Sequence, residues 1–391
     1  MNHFRPNHLE SHLIRTQTPA SNHREHASSI YMTSSFTFEN AEHARAMFAK
    51  EVDGSIYTRY SNPNVDEFIQ KMCILEGADS GVALASGMSA IFTALASLLN
   101  SGDHVLAARN VFGSTNQILT NIMPRWEISH SYADLTAPDE WEALVQPNTQ
   151  VVVLETPSNP ALDIIDLEWM GKFCRKHDLI LIVDNVFATP YLQNPIKYGA
   201  NIVMHSTTKF IDGQGRAIGG VLVGEWQLID EIRFFARHSG PCLSPFNAWL
   251  FSKSLETLPV RMERHCENAL TLAKWLEDHP AVNLVKYPHL PSHPQYEIAK
   301  RQMRLGGGVV TFEIQGGIEQ GRRFLDALQM CSLSANLGDS RTIATHPAST
   351  THSSLTEEQR QAVGITPGLI RISVGLEHIN DIQADIAQAL D

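Results

Sequence analysis

The chain has 391 residues, 43% hydrophobic and 18% charged, with 24 Gly and 19 Pro, a balance that suits a globular enzyme with a large buried core. Thirty basic against 42 acidic residues leave a formal charge of −12, which argues against a nucleic-acid-binding surface. It also means that an anionic ligand must be held by local donors and not by the overall field.

No segment reaches 18 consecutive apolar residues, so no membrane partner is expected. The opening MNHFRPNHLESHLIRTQ is polar and has no apolar signal core, which predicts a cytoplasmic protein. The five cysteines, Cys73, Cys174, Cys242, Cys266 and Cys331, are odd in number, and none falls in a CxxC pair. They read as reduced thiols without a zinc or redox task. Among the 18 histidines, His3, His8, His12, His23 and His26 crowd the start without any HExxH spacing. They read as part of a solvated arm, and no metal site is expected.

Residues 1–60 read as an arm with one short helix near Asn40–Lys50. From 61 to 255 helical stretches (Val65–Leu75, Ser89–Leu99) alternate with strand-like runs at Gly81–Ala85, His104–Ala107, Val151–Glu155, Leu179–Asp184 and Asn201–His205. This alternation predicts βα units and an α/β domain with a mostly parallel sheet covered on both faces. A long amphipathic helix is expected from Asn247 to Glu277, with a break at Pro259. Beyond it, strand-like runs at Val282–Tyr287, Val309–Gln315 and Leu369–Val374 alternate with helices at Ile318–Gln329 and Asn380–Leu390. That pattern predicts a smaller α+β domain over 256–391.

The chemistry gathers around Ser206-Thr207-Thr208-Lys209-Phe210, just past the apolar run Ile202–Met204. Alone, a lysine in a hydroxyl-rich loop is an ordinary surface residue. Twenty-five residues earlier, however, Leu181-Ile182-Val183-Asp184 ends an apolar strand in an acid, at the sheet edge where ligand crevices form. A carboxylate buried there needs a cationic partner, and a protonated pyridine nitrogen is one; helix capping by Asp184 is the plainer alternative. Ala85-Ser86-Gly87-Met88-Ser89-Ala90 follows another strand and opens a helix, so its free N–H groups and the helix dipole form an anion site. Ser206 and Thr208 would join that site. Together these three features, in this order, point to pyridoxal phosphate (PLP) held by Lys209, with Asp184 at the ring nitrogen keeping the ring an electron sink.

Over essentially its whole length the sequence resembles the Cys/Met metabolism (trans-sulfuration) PLP enzymes. The likeness lies in YTRYSNP at 57–63, ASGMSA at 85–90, ETPSNP at 155–160, VDN at 183–185, HSTTKF at 205–210, HPAS at 346–349 and LIRISVGLEH at 369–378. It implies a fold-type I transferase in which Lys209 binds PLP, Asp184 pairs with its nitrogen, and Gly87, Met88, Ser206 and Thr208 hold the phosphate. Tyr57 and Arg59 would reach that phosphate from the neighbouring subunit, Phe112 would stack on the ring, and Asn159 would contact the ring oxygen. Arg371 would grip the substrate α-carboxylate, a task for a planar two-pronged donor. A homotetramer built from two active dimers is implied as well.

Within the family, DGQGRAIGG at 212–220, SGPCLSPFNAW at 239–249, LPSHPQ at 290–295 and NLGD at 336–339 resemble the O-succinylhomoserine sulfhydrylases. The implied reaction joins O-succinyl-L-homoserine and sulfide into L-homocysteine and succinate, in methionine biosynthesis. The alternatives are cystathionine γ-synthase, O-acetylhomoserine sulfhydrylase and, more remotely, a non-catalytic PLP-binding protein. Three departures from relatives bear on this. Phe112 stands where many have Tyr, Ser114 stands where methionine γ-lyases have Cys, and Asn336-Leu337-Gly338-Asp339-Ser340-Arg341 replaces an SLGG segment followed by an acid. The first removes a phenolic acid/base, and all three point away from the lyases. Asn336 and Arg341 are accordingly assigned to substrate binding, Arg341 at the distal carboxylate of a succinyl group. The Gly213–Gly220 glycines read as a loop, Gly306–Gly308 as the opening of a strand, and Phe234, Phe235, Phe246, Trp249 and Phe251 as core or subunit interface.

Overall fold

The computed structural model describes residues 6–135, 137–353 and 356–391; His3, with the first five residues of the arm, lies outside them. The arm carries two helices, Leu9–Arg15 and Ala41–Phe48. The second starts where Asn40 accepts a hydrogen bond from the His43 N–H, a polar cap that satisfies one orphan donor. Leu13 of the first is fully buried against the main core.

Seven strands form the larger sheet: β1 (Ser80–Leu84), β2 (His104–Ala108), β3 (Ser129–Ala133), β4 (Thr149–Glu155), β5 (Ile180–Asp184), β6 (Ile202–Ser206) and β7 (Gly220–Gly224). Their spatial order is β1-β7-β6-β5-β4-β2-β3. Neighbours from β3 to β6 run parallel, while β7 is antiparallel to both β6 and β1. The reason is local: the segment joining β6 to β7 contains no helix, and without a crossover the chain returns antiparallel. β1, β2 and β7 are buried at every position, as strands covered on both faces must be. The sequence reading lacks β3 and β7. SHSYA has no apolar pattern, and GVLVG is bounded by glycines that read as loop.

The smaller sheet holds β8 (Val282–Lys286), β9 (Val309–Ile314), β10 (Ser332–Leu333), β11 (Ile343–Thr345) and β12 (Leu369–Ser373), in order β10-β11-β12-β9-β8. All pairs except β10–β11 are antiparallel. Gly306–Gly308 lead into β9, as read. The expected long helix is two helices, Pro245–Leu255 and Leu258–Glu277. The break expected at Pro259 falls at Glu256-Thr257, and Pro259 sits in the first turn of the second helix, where its missing N–H is no loss. That second helix links two cores. Leu258, Met262 and Cys266 join the core of the larger sheet, whereas Ala269, Leu272, Ala273 and Leu276 join that of the smaller. The aromatic cluster splits, with Phe251 buried and Phe234 and Phe246 exposed.

Among the described residues no helix is long and apolar enough to cross a membrane. The cysteines are free thiols; Cys174, Cys266 and Cys331 are buried and Cys242 is exposed.

Helix Leu167–His177 crosses the segment before β6 at Gly171, where an added Cβ would lie 1.8 Å from the Tyr198 carbonyl oxygen. Alanine normally gains about 1 kcal/mol over glycine inside a helix. Here the clash with fixed backbone reverses the sign, so Gly171→Ala is expected to lower the thermal unfolding midpoint. An unchanged or raised midpoint would show that the crossing relaxes freely.

Candidate active site

The parallel strands deliver their carboxyl ends to one edge, and this is where the polar residues collect. β4 ends in Glu155, β5 in Asp184 and β6 in Ser206. β1 leads into Ser86, the N-cap of helix Gly87–Leu98. A cavity of about 760 Å³ opens along this edge, and Arg371 enters it from β12 of the smaller sheet.

At one end lies the helix N-terminus. The hydroxyls of Ser86 and Ser89 cap each other's backbone N–H groups at 3.0 and 2.9 Å. This leaves the N–H groups of Gly87 and Met88 directed at a ligand. Gly87 is needed for close approach, since a Cβ there would meet the Ser206 Cβ at 2.7 Å and its Oγ at 2.9 Å. The Ser206 side chain is thereby brought to the same anion site. Thr208 stands beside it, its hydroxyl exchanging hydrogen bonds with Gly219 at 3.2–3.3 Å.

Asp184 and Lys209 both face the cavity. Loss of hydration pushes the Asp184 carboxyl up to about 6, against the Val186 N–H that donates to it at 3.0 Å. Such a carboxyl calls for a cation. Burial, and then the positive charge of Arg371, push the Lys209 amine down to about 8. A substantial share of it is therefore neutral near physiological pH, as a nucleophile and base requires. Its Nζ donates to Asn336 Oδ1 at 2.6 Å, which aims the amine across the cavity.

Arg371 is only 3% exposed. Its Nη1 donates to Asn159 Oδ1 at 2.9 Å and its Nη2 to the Asn336 carbonyl at 3.0 Å. Its Nε has no partner among the described residues, an orphaned buried donor of the kind a carboxylate satisfies. Phe112 forms part of the wall, 41% exposed, with Ser114 close by.

Nine of the sequence-assigned residues thus line one cavity, and Asn336 is bonded to its lysine. Three others are elsewhere. Tyr57 and Arg59 lie at a separate surface, where Arg59 stacks over the rings of Tyr57 and Tyr60 at 5.5 and 5.0 Å and donates to the Arg237 carbonyl. Arg341 is not brought to the cavity either. Its guanidinium holds Asp339 at 2.8 Å and the Gln214 carbonyl at 3.0 Å, while its side chain is 64% exposed.

The sequence reading gives no role to Glu155, His352 or Gln359, all of which line the cavity. Glu155 had a usable signal, because TQVVVLE ends an apolar run in an acid just as LIVD does. His352 and Gln359 come from the turn and helix after His346, where no periodic pattern marks them.

The set fits PLP. A helix N-terminus with two hydroxyl side chains suits a phosphate, a half-buried carboxyl suits a ring N–H, and a low-lying lysine amine suits an aldehyde. Comparisons with known proteins agree. The profile of the Cys/Met metabolism PLP-dependent enzymes matches residues 10–391. An O-succinylhomoserine sulfhydrylase of Pseudomonas aeruginosa is 47% identical over 366 residues, 94% of this chain and 91% of that protein. An L-methionine gamma-lyase of Porphyromonas gingivalis is 43% identical over 368 residues, 93% and 92% of the two chains. A solved protein of Campylobacter jejuni that carries a pyridoxyl-lysine-phosphate superposes with a TM-score of 0.93 at 34% identity, covering 98% of this chain and 99% of that one. The chain belongs to the Cys/Met metabolism PLP-dependent enzymes, with the α/β fold of fold-type I and pyridoxal phosphate as its cofactor.

Proposed function

We propose that this enzyme replaces the γ-substituent of O-succinyl-L-homoserine with sulfide, giving L-homocysteine and succinate. The observation that carries this reading over the lyases of the family is the cavity wall at Phe112 and Ser114. The wall has Phe at the stacking position, where many relatives have Tyr, and Ser114 where methionine γ-lyases have Cys. The 47% identity to a sulfhydrylase supports it. Methionine γ-elimination is the second reading, supported by relatives of that name at 43–44% identity.

When bound, PLP supplies the electron sink that makes the substrate Cα–H acidic and lets the γ-substituent leave. The chain's own residues do the rest. The N–H groups of Gly87 and Met88, with the hydroxyls of Ser206 and Thr208, hold the phosphate; Phe112 covers the ring, and Asp184 takes its N–H. Arg371 fixes the α-carboxylate and so sets Cα above Lys209. Asn159, already bonded to Arg371, contacts the ring oxygen. Lys209 Nζ removes the Cα proton and returns it, and its bond to Asn336 keeps the free amine in line. Without a phenol at position 112, Lys209 carries the proton traffic alone.

We further propose that the enzyme works as a dimer or a higher assembly of dimers. The surface of Tyr57 and Arg59 would then complete the phosphate site of a neighbouring copy, since neither residue reaches it within its own chain.

Replacing Lys209 by Ala is expected to abolish the visible absorption of the lysine-bound cofactor and to lower turnover by about 10²–10⁴-fold, the usual worth of a positioned acid/base. A coloured, active variant would sink the assignment. Asp184→Ala is expected to bind PLP weakly and to exchange the substrate α-proton slowly; cofactor titration and α-proton exchange measured by NMR would check this, and wild-type values in both would refute it. For specificity, purified enzyme is offered O-succinylhomoserine with sulfide, the same donor with cysteine, O-acetylhomoserine with sulfide, and L-methionine alone. Homocysteine from the first pair should exceed every other product by more than about tenfold. Dominant methanethiol release would favour the lyase reading instead.

A further inference from the structure

Glu155 is the one buried carboxylate of the cavity that the mechanism above does not use. It stands directly beside Asp184: β4 and β5 run parallel with Glu155 opposite Asp184. Residues opposite one another on parallel strands share a face, with their chains about 4.8 Å apart. Glu155 is only 4% exposed. The backbone N–H groups of Phe112 and Asn159, the residues assigned to the ring face and the ring oxygen, favour its charged form. Its Oε2 has no partner among the described residues.

Two carboxylates so placed cannot both ionise at little cost. We propose that Glu155 is a positioning residue that carries the single proton of the Glu155–Asp184 pair, so that the negative charge rests on Asp184 opposite the cofactor's ring nitrogen while Glu155 ties the Phe112 and Asn159 turns together. The inference rests on the reading of Asp184 given above.

The surroundings support this division. Burial, and then the charge of Asp184, push the Glu155 carboxyl well above its ordinary range, against the pull of the two N–H groups and of Arg371. Asp184 is raised as well, to about 6, but His205 on the adjoining strand β6 favours its charged form. The charged and titratable groups around the pair are Arg371 on β12, His205 on β6, Lys209 after β6, and Arg109, Tyr132 and His352 in the cavity wall. Arg371 is shared with Asn159 and reserved for substrate, so it does not neutralise Glu155 at close range. The unpartnered Oε2 is the position for the proton.

The consequence for stability has a definite sign. A carboxyl raised in the folded state contributes stability that is present below the ordinary carboxyl range and lost as pH rises through the folded value. Glu155→Gln keeps the shape and the neutral charge but cannot ionise. Holoenzyme midpoints of thermal unfolding measured from pH 6 to 9.5 should therefore show the wild type losing ground to Glu155→Gln as pH rises. The drop should be about 2 °C per pH unit over the titration. Parallel curves, or a wild type that gains on the variant, would overturn the proposal.

Infrared spectra of the wild-type holoenzyme give an independent reading that holds even if the variant fails to fold. A neutral carboxylic-acid carbonyl band should be present at pH 7 and fade at alkaline pH, and its absence at pH 7 counts against the assignment. Failure of the underlying reading is distinguishable. It would appear as normal PLP affinity in Asp184→Ala, whatever the Glu155→Gln curves do.

Discussion

Glu155, Asp184, Lys209 and Arg371 share one cavity, where burial strips much of the hydration from their charged groups. Removing hydration penalises every charged form, and the structure responds in a different way for each group. Arg371 is held in its charged form by Asn159, Asn336 and Thr345. Lys209 is driven toward its neutral form, and Asp184 is left wanting a cation. In the reading proposed above, the cofactor answers that want at one end of its ring and takes up the lysine at the other. Affinity for PLP and reactivity of Lys209 are thus two results of the same dehydration.

That cavity exists because of how the sheet is laid down. Parallel strands present their carboxyl ends together, so residues far apart in sequence, from Ser86 to Ser206, arrive at one edge with no loop of their own to order. The helix starting at Gly87 points its N-terminus at the same place, and the absent side chain of Gly87 lets Ser206 close on it. Arg371 comes from a second sheet with its own core. Its position depends on the helix Leu258–Glu277, whose two halves are buried in different cores. The position of Arg371 is therefore set by how the two cores meet, whereas the helix N-terminus at Gly87 and the Ser206 hydroxyl are placed within the first core alone.

A chain of net charge −12 has no general attraction for an anionic cofactor and anionic substrates. The site works against that field by short-range means: free backbone donors, two hydroxyls, one buried arginine and one lysine. Such contacts are strong only where water is absent, which is why the donors sit at the bottom of a cleft.

The primary structure alone determined the strand-and-helix alternation, because buried parallel strands must be apolar runs and their covering helices amphipathic. It also singled out Lys209, Asp184, Gly87 and Arg371, which the structure brings to one cavity, since each lies in a short motif whose chemistry can be read locally. It missed β3 and β7, whose five residues lack a pattern without their neighbours, and it placed at Pro259 a helix break that falls two residues earlier. Only the tertiary structure decided that Glu155 stands beside Asp184, because strand register is a property of pairing between distant segments. Only it showed that Arg341 turns to Asp339 instead of the cavity, and that Tyr57 and Arg59 lie apart from Lys209 within one chain. Distance between residues remote in sequence is fixed by packing, and packing is what a linear reading of residue types does not contain.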